Sequence, residues 1–86
     1  MTMVTIRYWA AAKEAAGVAE ESLDTRTLSG ALDEARRQHS KDPRFAAVLA
    51  RSSFLVDGTH VGAGAAATLT LSQGAVIEVL PAFAGG

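Results

Sequence analysis

The sequence predicts a single α+β domain in which one main helix packs across one face of a small mixed sheet. Three observations carry that reading. Leu28, Ala31, Leu32 and Ala35 recur at i, i+3, i+4 and i+7, the stripe of an amphipathic helix, while Asp33, Glu34, Arg36 and Arg37 face water. Met3 to Trp9 and Ala75 to Leu80 are β-branched or apolar runs of strand length. The second alternates little, which suits a central strand flanked on both sides; if these two runs lie side by side they are parallel. Asp57-Gly58, set between Ser53-Phe54-Leu55-Val56 and Thr59-His60-Val61, is the signal of a type I′ hairpin.

The elements follow in order. In the first strand Val4, Ile6 and Tyr8 lie on one side and Met3, Thr5, Arg7 and Trp9 on the other. Ala10 to Ala16 are strong helix formers, and Gly17 suits the left-handed position that closes a helix of about two turns. Val18 to Asp24 returns as an edge strand whose acidic residues discourage edge-to-edge pairing; Glu20 and Glu21 point to opposite faces as solubilising groups. Thr27 caps the main helix. Asp42-Pro43 opens a second short helix through Phe45, Val48 and Leu49. Gly62 to Ala67 reads as loop, and Ser72-Gln73-Gly74 turns the chain into the last strand. Pro81 is expected to stop that strand, dividing the chain into a folded domain, residues 1–80, and a flexible tail, residues 81–86.

Composition bounds the function. The chain has 86 residues, enough for one domain that buries roughly 60 to 65% of its unfolded surface. With 49% hydrophobic and 20% charged residues it is a folded protein rather than a disordered one. A net charge of −1 offers no basic field for nucleic acid. The lack of cysteine removes disulfides, thiolate metal sites and cysteine nucleophiles together. Met1 to Ala12 lacks the features of an export signal, and no run approaches the ~20 apolar residues of a membrane span, so a cytoplasmic location without membrane contact is expected.

Side-chain chemistry is sparse. Gly62-x-Gly64-x-x-Ala67 matches a dinucleotide fingerprint in form, yet only 19 residues follow Ala67, too few for the helix and second strand it needs. No phosphate-binding loop of the GxxxxGK[ST] type occurs. His39 and His60 are read as surface or partner-contact residues. Ser52-Ser53 has no local histidine and carboxylate motif. Lys13-Glu14 and Arg36-Arg37 are read as solvated helix faces, with docking of an acidic partner as the alternative. No metal site and no bound cofactor are expected.

What remains is the end of the chain. After Pro81-Ala82-Phe83-Ala84 it closes on Gly85-Gly86, leaving a carboxylate flanked by the two smallest residues as the most accessible acyl group. A frayed terminus explains two glycines as readily as a function does. Six residues at ~3.3 Å each would nevertheless reach about 20 Å from the fold. Glycine at the last two positions removes the Cβ atoms that would hinder entry into a narrow channel. Phe83, the exception in a slim tail, suits a pocket at the mouth of such a channel. A carboxylate resists nucleophiles until it becomes a mixed anhydride, so a working tail requires an ATP-using partner.

Val79-Leu80-Pro81-Ala82-Phe83-Ala84-Gly85-Gly86 resembles the C-terminal signature of the MoaD/ThiS sulphur carriers, which are ubiquitin-like β-grasp proteins. Ile6 to Gly17 is similar to the same family's first strand and short helix, and Thr27-Leu28, Leu55 to Gly58 and Leu71 to Val76 extend the likeness along the chain. Within the family the chain is most similar to the MoaD branch, the molybdopterin synthase small subunit. The resemblance implies that an E1-like, MoeB-like adenylyltransferase uses ATP to adenylate Gly86, that a sulphur donor converts the adenylate to a thiocarboxylate, and that the tail enters a MoaE-like large subunit of a heterotetramer. There the sulphur would pass to precursor Z, the cyclic pyranopterin monophosphate. Gly86 would carry the sulphur, Gly85 supply clearance, and Pro81, Ala82, Phe83 and Ala84 set the tail's exit and docking. The partners would supply catalysis, and apolar residues on the sheet face away from the main helix would stay exposed. Thiamine or cysteine assembly, a protein modifier joined to lysines, and an inert adaptor remain alternatives.

Overall fold

The computed structural model describes residues 1–62, 65 and 68–82. Their elements run β1 (Met3–Tyr8), α1 (Ala10–Ala16), β2 (Glu20–Asp24), α2 (Leu28–Gln38), α3 (Pro43–Ala50), β3 (Ser52–Val56), β4 (Thr59–Val61) and β5 (Val76–Pro81). The strands form one sheet in the order β2-β1-β5-β3-β4. β1 and β5 are parallel, with Thr5 opposite Val76 and Tyr8 opposite Val79. Every other pairing is antiparallel. The first and last strands thus meet near the centre, as expected, and β5 is the middle strand.

Alternation decides which face is covered. Val4, Ile6 and Tyr8 from β1, Leu23 from β2, Phe54 from β3 and Ile77 and Val79 from β5 are buried. They meet Leu28, Ala31, Leu32 and Ala35 of α2, the predicted stripe, together with Ala12 of α1 and Phe45 and Leu49 of α3. The cover is therefore shared by all three helices. Each Leu, Ile or Phe fully withdrawn from water contributes about 1.5–3 kcal/mol.

Local chemistry sets the element ends. The Thr27 hydroxyl accepts the Gly30 N–H at 3.0 Å, and the Asp42 carboxylate accepts the Arg44 N–H at 2.9 Å ahead of Pro43 at the first helical position. Gly17, at φ 79°, closes α1 by donating its N–H to the Lys13 carbonyl at 2.9 Å. Asp57 and Gly58 have φ of 49° and 84°, the paired left-handed geometry of the type I′ turn. Asp57 also holds the start of β5: its N–H donates to the Val76 carbonyl and its carboxylate accepts the Val76 N–H, both at 2.9 Å.

Two readings change at one corner of the core. Glu21 is not a solubilising group and His39 is not on the solvent face. Glu21 stands in register with Ile6 and so points toward the helices. Its carboxylate accepts the Tyr8 hydroxyl at 2.7 Å and lies 2.9 Å from His39 Nε2, the residue that closes α2. The His39 ring lies against Phe45 with centroids 4.6 Å apart, and Tyr8 meets both rings edge-on. The His39 carbonyl accepts the Asp42 N–H at 3.2 Å, so the same residue anchors the link between α2 and α3. A carboxylate facing inward at a sheet edge is tolerable because two donors meet it. His60, by contrast, is exposed on β4 as expected.

Burial first, then the hydrogen bond to Glu21, then the charge of Glu21 push the Tyr8 phenol well above its ordinary range. The folded chain keeps a proton that the unfolded chain surrenders near pH 10, so this contribution is intact below that pH and fades as pH rises above it. Stability should fall there by up to about 1.4 kcal/mol per pH unit. Tyr8 is the single tyrosine. Its phenolate absorbance should therefore appear together with the loss of far-ultraviolet circular dichroism, and a phenolate signal from an intact fold would contradict the burial.

Candidate functional site

The candidate site is built from the root of the C-terminal tail outward. Of the residues expected to act there, Pro81 and Ala82 are described; Phe83, Ala84, Gly85 and Gly86 lie outside the described residues. Pro81 is the last residue of β5, so the strand extends one residue beyond the Leu80 end that the sequence suggested. It is still paired within the sheet, opposite Ser52 on β3.

The direction of backbone groups explains why a proline fits. Ala75 and Val79 offer their carbonyls to Thr5 and Trp9 on the β1 side, at 2.9 and 3.2 Å, whereas Val76 bonds to Asp57 on the β3 side. Odd residues of β5 therefore address β1. Pro81 is odd, its missing N–H would point past the end of β1, and the Trp9 carbonyl there already accepts Ala12 and Lys13 as α1 begins. No ladder bond is lost. Ala82 is exposed just beyond.

The flanks of the root come from three elements. Trp9, 45% exposed, ties the corner to β5 twice: its backbone N–H donates to Val79, and its indole Nε1 donates to Glu78 Oε1 at 3.2 Å. Ala10 follows with φ 48°, an unusual left-handed alanine that turns the chain from β1 into α1. Trp9, Ala10, Lys13, Gly17 and Val18 line an open depression beside this corner, and Val18 is 40% exposed. Across β5, Arg51 is exposed, and the Ser52 hydroxyl donates to the Val48 carbonyl at 2.8 Å, so this serine is occupied in capping α3.

The face of the sheet away from the helices can now be assigned. Thr5 and Arg7 of β1, Val76, Glu78 and Leu80 of β5 and Leu55 of β3 lie on it, all partly exposed. The sequence suggested β1 beside β5 but did not assign the residues of this face, and so missed that Leu55, Val76 and Leu80 cluster around Glu78. Lys13 and Glu14 are exposed as expected, and Arg36 and Arg37 reach back to Asp33 and Glu34 on α2. Of the glycine fingerprint, Gly62 is exposed after β4, while Gly64 and Ala67 lie outside the described residues. Among the described residues no three His, Cys, Asp or Glu side chains gather as a metal site, and no helix is long and apolar enough to cross a membrane.

The model of the ThiS family matches residues 6–86. The chain belongs to the ThiS family. No curated protein matches it by sequence. Among solved structures it is similar to a Pyrococcus furiosus protein named for molybdopterin converting factor, subunit 1. That likeness has 22% identity and a TM-score of 0.79 and covers 96% of this chain and all of the other. Small archaeal modifier protein 1 from Methanosarcina acetivorans is similar at 21% identity and a TM-score of 0.81, covering 100% and 98%. The complex of subunits 1 and 2 of molybdopterin-converting factor from Helicobacter pylori contains a chain similar at 20% identity and a TM-score of 0.67, covering 99% and 100%. These likenesses show the fold: this ThiS-family chain is a ubiquitin-like β-grasp.

The geometry at Pro81 separates two substitutions. Pro81→Ala should lower stability by no more than about 1 kcal/mol, the backbone entropy that proline removes from the unfolded chain. Val79→Pro, in the middle of the central strand, should cost about 3 kcal/mol or more. Urea melts of the two variants measure both, and a similar loss in each would show that Pro81 is held by something other than the ladder.

Proposed function

We propose that this ThiS-family protein is a sulphur carrier whose working group is the Gly86 carboxylate. The observation that carries the reading is the family match continuing to Gly86 on a fold whose central strand, paired on both sides, leads straight into the tail. An E1-like adenylyltransferase binds ATP, and a Gly86 carboxylate oxygen attacks the α-phosphorus with release of pyrophosphate. Hydrosulphide supplied by a sulphur donor then attacks the acyl carbon, AMP leaves, and the terminus becomes a thiocarboxylate. The catalytic side chains and the ATP site belong to the partner, and this chain contributes a reach, a slim end and a docking face.

Within that class the destination we favour is molybdopterin synthesis. The thiocarboxylate enters a large synthase subunit and gives its sulphur to precursor Z, two carriers and two large subunits forming a heterotetramer. The tail sequence and the likeness to subunits named for molybdopterin converting factor support this choice. Thiamine or cysteine assembly would use the same tail chemistry. A second reading, a protein modifier, is favoured by the likeness to small archaeal modifier proteins from two archaea. In that case the Gly86 acyl group passes to lysine amines.

Incubating the protein with its adenylyltransferase, ATP and a sulphur donor should raise its intact mass by one oxygen-to-sulphur exchange at Gly86. Deleting Gly85 and Gly86 should abolish the change while leaving the thermal melt where it was. An unchanged terminus with a demonstrably active partner overturns the carrier reading. Gly86 found in isopeptide linkage to other proteins favours the modifier.

A further inference from the structure

A carboxylate sits at the centre of the open sheet face. β5 is the middle of the five strands, and Glu78 lies between Arg7 on β1 and Leu55 on β3, with Val76 and Leu80 two residues away on the same side. Glutamate is disfavoured in strands, and an apolar or β-branched residue would pack better among these neighbours. The side chain is held in place: Oε1 accepts the Trp9 indole N–H at 3.2 Å. Among the described residues Oε2 accepts no hydrogen bond. Arg7, the one cation in this row, has its Nε 4.0 Å from Glu20 on β2. The row Glu20, Arg7, Glu78 therefore carries two negative charges and one positive.

A partner that lays an apolar surface on Leu55, Val76, Leu80 and Trp9 must strip water from Glu78 as well. A desolvated carboxylate whose one cationic neighbour lies against Glu20 opposes docking strongly unless a new donor meets it. We propose that Glu78 is the specificity-determining residue of this face: the adenylyltransferase that engages the tail presents an arginine or lysine to Glu78 Oε2, set within an otherwise apolar patch. Trp9 orients the carboxylate for that contact. A surface that is apolar throughout, or acidic at this point, is rejected even where its shape fits. The inference rests on the carrier reading for the partner's identity, but not on the sulphur step.

Calorimetry of the intact protein with the adenylyltransferase of its own organism, at low and high salt, tests it alongside adenylation kinetics. Glu78→Gln keeps the shape and removes the charge; it should raise the dissociation constant by about tenfold or more. It should also flatten the salt dependence and leave kcat at saturation unchanged. Trp9→Phe, which keeps the ring and loses the donor, should give a smaller rise of a few fold. Circular dichroism confirms that both variants are folded. Binding by Glu78→Gln as tight as that of the parent, with the same salt dependence, overturns the proposal and points to Arg7 turning from Glu20 to neutralise Glu78 internally. Failure of the parent to bind the enzyme overturns it too. Binding without adenylation leaves it standing and removes the carrier reading instead.

Discussion

The parallel pairing of β1 with β5 is the constraint on which the rest of the molecule depends. It joins residues near opposite ends of the chain, Thr5 to Val76 and Tyr8 to Val79. Everything between must therefore be folded back around that seam. Closing so long a loop carries an entropic cost that no local contact repays. The repayment comes from the core the seam creates. Ile6 and Ile77, adjacent in register, are both fully buried, and Val4, Tyr8 and Val79 continue the same strip beneath the helices. Without that strip the stripe of α2 would have nothing to cover.

The seam also determines what the C-terminus can do. A last strand at the sheet edge would leave the tail tethered to the most pliable part of the fold. Here β5 is paired on both sides up to Val79, and with β3 alone for its last two residues, Leu80 and Pro81. Pro81 fits this design rather than interrupting it, since its missing donor faces the side where β1 has already given way to α1.

Much of this was legible in the sequence because it is written in local signals. The Thr27 cap, the Asp42-Pro43 start, the left-handed Gly17 and the Asp57-Gly58 turn each depend on residues within three or four positions of one another, and all are found where expected. What was not legible depends on contacts between distant residues. Glu21 and His39 stand 18 positions apart, and each alone looks like a surface group; only the crossing of α2 over β2 makes them partners of Tyr8. Likewise, that Leu55 flanks Glu78 on the open face of β5 follows from strand order, which composition does not encode. The family resemblance rested on the tail and the first strand, and the ThiS match supports it across residues 6–86.

Glu21 and Glu78 show how one sheet treats the same functional group on its two faces. On the helix side Glu21 receives a hydroxyl and an imidazole within 2.9 Å, so its charge is answered inside the chain and serves the fold. On the open side Glu78 receives one indole, and its guanidinium neighbour is drawn toward Glu20. A fold selected for stability alone would have little reason to place an acid on the middle strand among Leu55, Val76 and Leu80. In water the residue is harmless, because the solvent completes its hydrogen bonds. It becomes consequential only when something covers the face, and at that moment the charge decides which surface can do so. The unanswered carboxylate is thus informative about a second molecule in a way that the satisfied one is not.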